Sequence, residues 1–457
     1  MKVTSDTQCA VCSRAVRATI LPAMHASRFL LFLITCAGVA AAQTPAPSPT
    51  QVRPEPQEVW QMQDSGTTAG LRGIDSVDGT VAWASGTGGT ILKTTDGGAH
   101  WQKCAVPDGD KDGATLGFSG VQAWDATTAI VMASGPGDKS RLHKTADGCK
   151  SWTLLLKNTD PDGFYDAFTF WDRRHGFLLG DPVKSMPFAR DNPALMDSYK
   201  KHWVERLKSA RFLTLETRDG GMRWEHWPIR RADLIDPGPK GSAAFAASNS
   251  SLLIPPQQDP ATARDDLRAS TNGWIGVGGK GGARVFQGLN VLPDVAAPGA
   301  EAYGFAWAKA TSTPIAGGTN SSGVFSLAYR DSYRPDTEVL FKGGGGTNIT
   351  NWQFVAVGGD YTKPNESAGT AAWSADGGEH WTASTTPPHG YRSTVQWSEA
   401  LKLWITAGTN GSDISRDDGR TWQPLDDGNW NALSLPFIVG PKGRIARLSP
   451  AALLVAK

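Results

Sequence analysis

The residues best placed to do chemistry are five aspartates set in one repeated phrase. Asp96, Asp147, Asp219, Asp376 and Asp417 each lie in the pattern Ser/Thr-x-Asp-x-Gly-x-x-Trp, with Cys149 replacing the glycine once. Paired carboxylates are what acid–base hydrolysis uses. In this phrase, however, both the hydroxyl and the carboxylate can accept backbone N–H groups of their own tight turn. Glycine then supplies positive φ, and tryptophan anchors the turn on a neighbouring sheet. Five near-copies along an array cannot all face one substrate, so these acids are expected to be structural. Two acidic loops, 108–113 and 158–163, match the front half of a calcium loop but carry Ser119 and Thr169 where the chelating glutamate belongs. They read as turns. The glycine run 276–280 has no following helix to receive a phosphate. With no Ser-His-Asp arrangement and no zinc-spaced cluster, neither a metal nor a cofactor is expected.

Composition narrows the class. Gly 52, Trp 18 and 19% charged residues suit a turn-rich β protein, and a formal net charge of +1 gives no case for nucleic acid or an anionic membrane surface. Arg28, the apolar run 29–39 and Ala40-Ala41-Ala42 before Gln43 form an export signal over 1–42, with Met24 as an alternative start. The run is too short for a comfortable membrane span, and no stable span is expected after cleavage. Ile34-Thr35 is a poor approach to a lipidated Cys36. Residues 43–57 are Pro/Gln/Thr-rich and read as a linker. Removal of the signal leaves Cys104 and Cys149 in a periplasmic or secreted protein. One disulfide is their simplest use, with two free thiols as the alternative.

The elements that hold these residues are short strands. Before the first Asp turn lie three alternating runs, 71–76, 81–86 and 90–93, and a fourth follows from Trp101. Period-2 patterning between turn residues predicts four antiparallel strands, with the Asp turn between the third and fourth. Successive turns begin 51, 72, 157 and 41 residues apart, so the long gap hides a unit whose turn has decayed. Its strands are expected at 241–246, 273–278 and 283–286. The last unit, after 431, lacks a fourth strand, and Glu58-Val59-Trp60-Gln61-Met62 is expected to supply it and close the array. The fold class is therefore all-β: a seven-bladed β-propeller of four-stranded antiparallel blades over 58–457, closed by an N-terminal strand. Insertions are expected at about 183–209, with a helix over 193–207, and at 255–269.

The repeated turns and Gly-punctuated strands resemble the photosystem II stability/assembly-factor-like propellers, which carry BNR/Asp-box repeats and form a branch of the sialidase-like superfamily. The resemblance covers roughly 58–448. It implies a propeller whose ligand-binding mouth lies opposite the Asp turns. At that mouth, near the starts of the innermost strands, stand Arg72, Ser119, Asp166, Ser242, Arg392 and Asn431, where Val or Ala would be ordinary. Turns bearing Asp181, Asp360 and Arg444 reach the same mouth. This polar ring either binds a ligand or lines a wet channel. The leading expectation is an exported, non-catalytic, monomeric scaffold that binds a protein partner of an envelope complex. The rival is a glycan-binding or glycoside-hydrolase protein using Arg72, Asp166 and Arg392. The sialidase Arg-Ile-Pro signature is absent, with Leu71-Arg72-Gly73-Ile74 in its place, and no Tyr–Glu pair can be assigned.

Overall fold

The computed structural model describes residues 58–109, 111–183, 211–224, 240–255, 273–291, 304–331 and 352–455. The export signal, the linker, Asp110, the helix over 193–207 and nearly all of both insertions lie outside these residues.

The regular structure of the described residues is almost wholly antiparallel sheet, as the short alternating runs dictate. β1 (Trp60–Gln63) precedes a four-stranded sheet of β2 (Leu71–Ser76), β3 (Ala82–Gly86), β4 (Ile91–Thr94) and β5 (Gln102–Lys103). A second contains β6 (Phe118–Ala123), β7 (Ala129–Ala133), β8 (Arg141–Thr145) and β9 (Thr153–Lys157). The third described sheet has β10 (Tyr165–Phe170), β11 (Gly176–Val183) and β12 (Arg211–Thr217). Then come β13 (Ser242–Ala243), β14 (Leu252–Leu253), β15 (Gly273–Gly279), β16 (Arg284–Val291) and β17 (Gly304–Ser312). They are followed by β18 (Ser322–Arg330), β19 (Gln353–Asp360), β20 (Ala371–Ser374) and β21 (Thr382–Ala383). These two repeats join into one sheet through Gly278↔Gly323, where a Cβ on Gly278 would lie 2.5 Å from the Gly323 Cα. The next sheet is β22 (Thr394–Ser398), β23 (Leu403–Gly408), β24 (Gly411–Ser415) and β25 (Gln423–Asp426). Finally β26 (Ala432–Ser434), β27 (Phe437–Val439) and β28 (Ile445–Leu448) are completed by β1, with Trp60 opposite Leu448. A short helix, α1 (Pro450–Val455), follows.

Each repeat buries its apolar side chains against the next. The first strands pack in succession: β2 on β6, β6 on β10, β10 on β14, β14 on β18, β18 on β22, β22 on β26, and β26 back on β2. Trp83 and Ile91 of the first repeat meet Phe118 and Val131 of the second, while Leu71, Ile74 and Leu92 meet Phe437, Val439 and Ile445 of the last. The hydrophobic stabilisation is thus spread over successive interfaces, the pattern of a repeat array. A Cys104–Cys149 disulfide, with a sequence separation of 45, ties the end of the first repeat to the Asp turn of the second.

One expected element is corrected. The strand predicted over 241–246 stops at Ala243 and its repeat resumes pairing only at Leu252. Between them the chain leaves the sheet and runs to the middle of the molecule, where Asn249 turns it with φ 63.

Candidate functional site

The five Asp turns share one hydrogen-bond plan. The first hydroxyl donates to the aspartate Oδ1, from Thr94 to Asp96 at 2.8 Å through to Ser415 and Asp417 at 2.8 Å. The same hydroxyl accepts the N–H four residues on, from Gly98, Cys149, Gly221, Gly378 and Gly419. The aspartate accepts the N–H of the seventh residue, and there His100, Ser151, His380 and Thr421 also bring a side chain to its second oxygen at 2.6–2.7 Å. This seventh-position cap was readable as a recurring His/Ser/Thr but was missed. Hydrogen bonds from the His100 amide and ring and from Thr94 hold Asp96 down at about 2. Those from the Ser151 hydroxyl and amide and from Thr145 do the same for Asp147, at about 2. Asp96 and Asp147 are ionised at neutral pH and occupied by their own turns, so they have no proton to give. Two of the tryptophans reach the preceding repeat, Trp101 Nε1 donating to Gln63 Oε1 at 3.0 Å and Trp152 Nε1 to the Ala105 carbonyl at 2.8 Å, while Trp381 and Trp422 donate to Gly378 and Gly419 of their own turns.

Three of the polar positions at the strand starts have a geometric cause. Arg72, Ser119 and Asp166 fall where the register shifts, between Leu71 and Gly73, Phe118 and Gly120, and Tyr165 and Ala167. The extra residue of a bulge escapes the in–out alternation, so a polar side chain there needs no ligand to explain it. Arg72 is exposed and has no partner among the described residues. Asp166 is buried with Oδ2 unpartnered, and burial together with the charge of Asp181 pushes its carboxyl well above the usual range. Burial also raises Asp181, whose Oδ1 accepts the Ala244 N–H at 3.1 Å. Ser242 is buried.

Arg392 is fully enclosed. Its Nε and one terminal nitrogen donate to Asp413 Oδ2, and the other donates to the Tyr391 carbonyl at 2.7 Å and to Asn410 Oδ1 at 2.6 Å. Asn431 Nδ2 donates to the Leu71 carbonyl at 2.7 Å, linking the last repeat to the first. Asp360 accepts the Thr362 amide and hydroxyl, and the Arg444 guanidinium lies 4.5 Å from the Trp430 ring centroid. Of the trio proposed for a glycan, Arg392 is committed to Asp413 and Asp166 is sealed from solvent, while Arg72 faces water. The acidic loop at 108–113 is engaged as well. Arg141 donates to Asp108 and to both oxygens of Asp112, and His143 Nε2 lies 2.9 Å from Asp108.

The space that remains is central. Residues 248–250 cross from the fourth repeat and bind several others. The Ser248 hydroxyl donates to the Ser393 carbonyl at 2.7 Å, Asn249 Oδ1 accepts the Phe168 N–H at 2.8 Å, and the Ser250 hydroxyl donates to Ser326 at 2.7 Å. Next to this crossing lies a cavity of about 450 Å³ lined by the second halves of the first strands. Ile74, Phe168, Tyr329 and Trp397 give it apolar walls, and Asp75, Gln122, Gln396 and Ser434 give it polar groups. The sequence reading puts a ligand at the starts of these strands; the cavity lies toward their ends. That end carries the Asp turns, because Gly97, Gly148 and Gly220 donate their N–H groups to the first-to-second strand turns at Thr80, Thr127 and Arg174.

The polar wall groups stitch neighbouring repeats. Asp75 Oδ2 accepts the Ala123 N–H at 2.7 Å, and Gln122 exchanges two 2.7 Å bonds with the Phe170 backbone. Gln396 accepts from Leu435 N–H and Ser434 from Ser76 N–H, while Ser326, outside the cavity wall, accepts from Val395 N–H. Burial pushes the Asp75 carboxyl up to about 6, against the lowering effect of its bonds with Ala123 and Ser434. Asp75, Gln122 and Ser434 lie three positions beyond Arg72, Ser119 and Asn431, and Gln396 lies four beyond Arg392. Reading three or four residues further along the same strands finds them.

No family model and no curated protein matches the chain. Among solved structures, YCF48 from Cyanidioschyzon merolae is similar at 15% identity and a TM-score of 0.47, over 86% of this chain and 99% of that one. YCF48 bound to a D1 peptide is similar at 15% identity and 0.46, over 86% and 95%. A GH74 enzyme of Niastella koreensis follows at 14% identity and 0.24, over 82% and 56%. These likenesses are too distant to carry the chemistry of this chain, which rests on its own side chains.

Proposed function

We propose that this protein is an exported, non-catalytic β-propeller of seven blades, closed by β1, that acts as an assembly-factor-like scaffold for a protein partner of an envelope complex. The succession of first-strand packing that returns from β26 to β2 supports the closed ring. The Cys104–Cys149 disulfide supports an oxidising, periplasmic or extracellular compartment, where the signal over 1–42 would send it. The observation that carries the binding role is the central cavity. It combines aromatic and aliphatic walls with a few amide, hydroxyl and carboxyl groups, the make-up of a site that takes a protein side chain.

The test compares cross-linked capture from an envelope extract by the mature protein and by Thr169→Trp, which fills the cavity from its wall. The same partner, captured by the first and lost with the second, supports the reading. Undiminished capture by the filled variant, or turnover of any glycoside by the mature protein, contradicts it.

A further inference from the structure

The set of stitching residues contains one that is more than stitching needs. Gln122 joins β6 to the Phe170 backbone of β10, and Gln396 joins β22 to the Leu435 N–H, each with a neutral amide. Asp75 makes the equivalent bond from β2 to the Ala123 N–H, yet it does so with a carboxylate. An asparagine oxygen would serve as well. Charge at this position has a cost, because the group is half-buried, and costly charge in a cavity is a mark of function.

Nothing among the described residues neutralises it. Asp75 forms no ion pair there. The groups that meet its carboxyl are the Ala123 amide on β6 and the Ser434 hydroxyl on β26. Tyr329 is the other titratable side chain in the cavity wall, and burial pushes it up, so it stays neutral. Arg330, at the end of β18, lies over Trp397 at 5.3 Å, but Asp418 takes both its Nε and a terminal nitrogen, at 2.6 and 2.7 Å. The cavity therefore holds one uncompensated negative charge among the apolar side chains of Ile74, Phe168 and Tyr329. A carboxylate set among apolar walls suits a cation that arrives on an apolar stem.

From this complementarity we infer that the central cavity binds a lysine or arginine side chain presented by the protein partner, with Asp75 as its counter-ion. The inference rests on the cavity being the partner site and adds what enters it. A volume of about 450 Å³ admits one long side chain with part of its backbone; small-molecule pockets start at about 300 Å³.

The pentapeptides Gly-Gly-Lys-Gly-Gly and Gly-Gly-Arg-Gly-Gly, with Gly-Gly-Met-Gly-Gly as the uncharged control, provide the test. Their binding to the mature protein would be followed by NMR titration at pH 7.5 and pH 5. One basic peptide is expected to bind at least about tenfold more tightly than the methionine control, as one charge-assisted hydrogen bond allows. That preference should vanish in Asp75→Asn and shrink at pH 5, where Asp75 is protonated. Asp75→Ser, which keeps a hydroxyl acceptor for Ala123, guards against a folding defect peculiar to Asn and should also lose the preference. Equal binding of all three peptides, a preference that survives both substitutions, or no binding at all overturns the inference. If Thr169→Trp still abolishes partner capture in those cases, the cavity remains the partner site and the cationic occupant alone is wrong.

Discussion

Substituting Asp75 by asparagine should stabilise the unliganded protein, and by more at high pH than at low. The carboxyl sits half-buried against Ala123 and Ser434 and is raised from 3.8 to about 6 in the folded chain. A folded value above the unfolded one means the native state holds the proton more tightly. The stability that this proton contributes is present below the unfolded value and is lost as pH rises through about 6. A shift of this size corresponds to up to about 3 kcal/mol in total at ~1.36 kcal/mol per unit. Roughly 2 kcal/mol of that falls between pH 4.5 and 8. Asparagine keeps an oxygen for the Ala123 N–H and has no charge to lose. The difference in Tm between variant and parent should therefore widen by about 2 °C from pH 4.5 to pH 8, at roughly 1 °C per kcal/mol for a folded body of this size. Differential scanning fluorimetry in matched buffers measures it. Taking the difference cancels other titrating groups, including Asp166 and Asp181. A flat difference would refute the reasoning by showing that the folded chain does not hold the Asp75 proton more tightly, and a variant less stable at pH 8 would point to a cationic partner for Asp75.

Three other perturbations probe the framework. Asn249→Ala removes the acceptor for the Phe168 N–H and puts an alanine at φ 63, which should cost about 2–3 kcal/mol in urea unfolding. Asn249→Gly, free of the backbone penalty, should cost about 1 kcal/mol. Arg392→Met leaves Asp413 buried without its cation and should cost about 3–5 kcal/mol, with Arg392→Met/Asp413→Leu recovering most of it. Cys104→Ser/Cys149→Ser opens a loop whose ends are separated by 45 residues. It should lower stability by about 4 kcal/mol, and reduction of the parent should give the same shift in Tm.

Much of the architecture was legible because it repeats. The Asp turns mark third-to-fourth strand junctions, and the Trp-led pattern at Trp60 identifies a displaced fourth strand, which pairs with β28. The site was less legible, for two physical reasons. Arg72, Ser119 and Asp166 drew attention by breaking the apolar pattern, but a β-bulge breaks that pattern without any ligand. Arg392 reads as a free ligand-binding residue in the sequence because its counter-ion, Asp413, is 21 residues away on another strand. The crossing at 248–250 was invisible for a different reason. Short Ser/Asn stretches read as ordinary turns, and only three-dimensional proximity to Phe168, Ser326 and Ser393 shows that this one spans the centre.

The claim that a partner side chain enters the central cavity is tested most directly by photo-cross-linking from defined positions. A benzophenone side chain would replace Gln396 on the cavity wall and, separately, Tyr361, which is 50% exposed in the Asp360 turn toward the starts of the first strands. Partner adducts from position 396 and none from position 361, with the partner's attachment site mapping beside a lysine or arginine, is the expected result. Adducts from position 361 alone would contradict it and return the binding site to the opposite face.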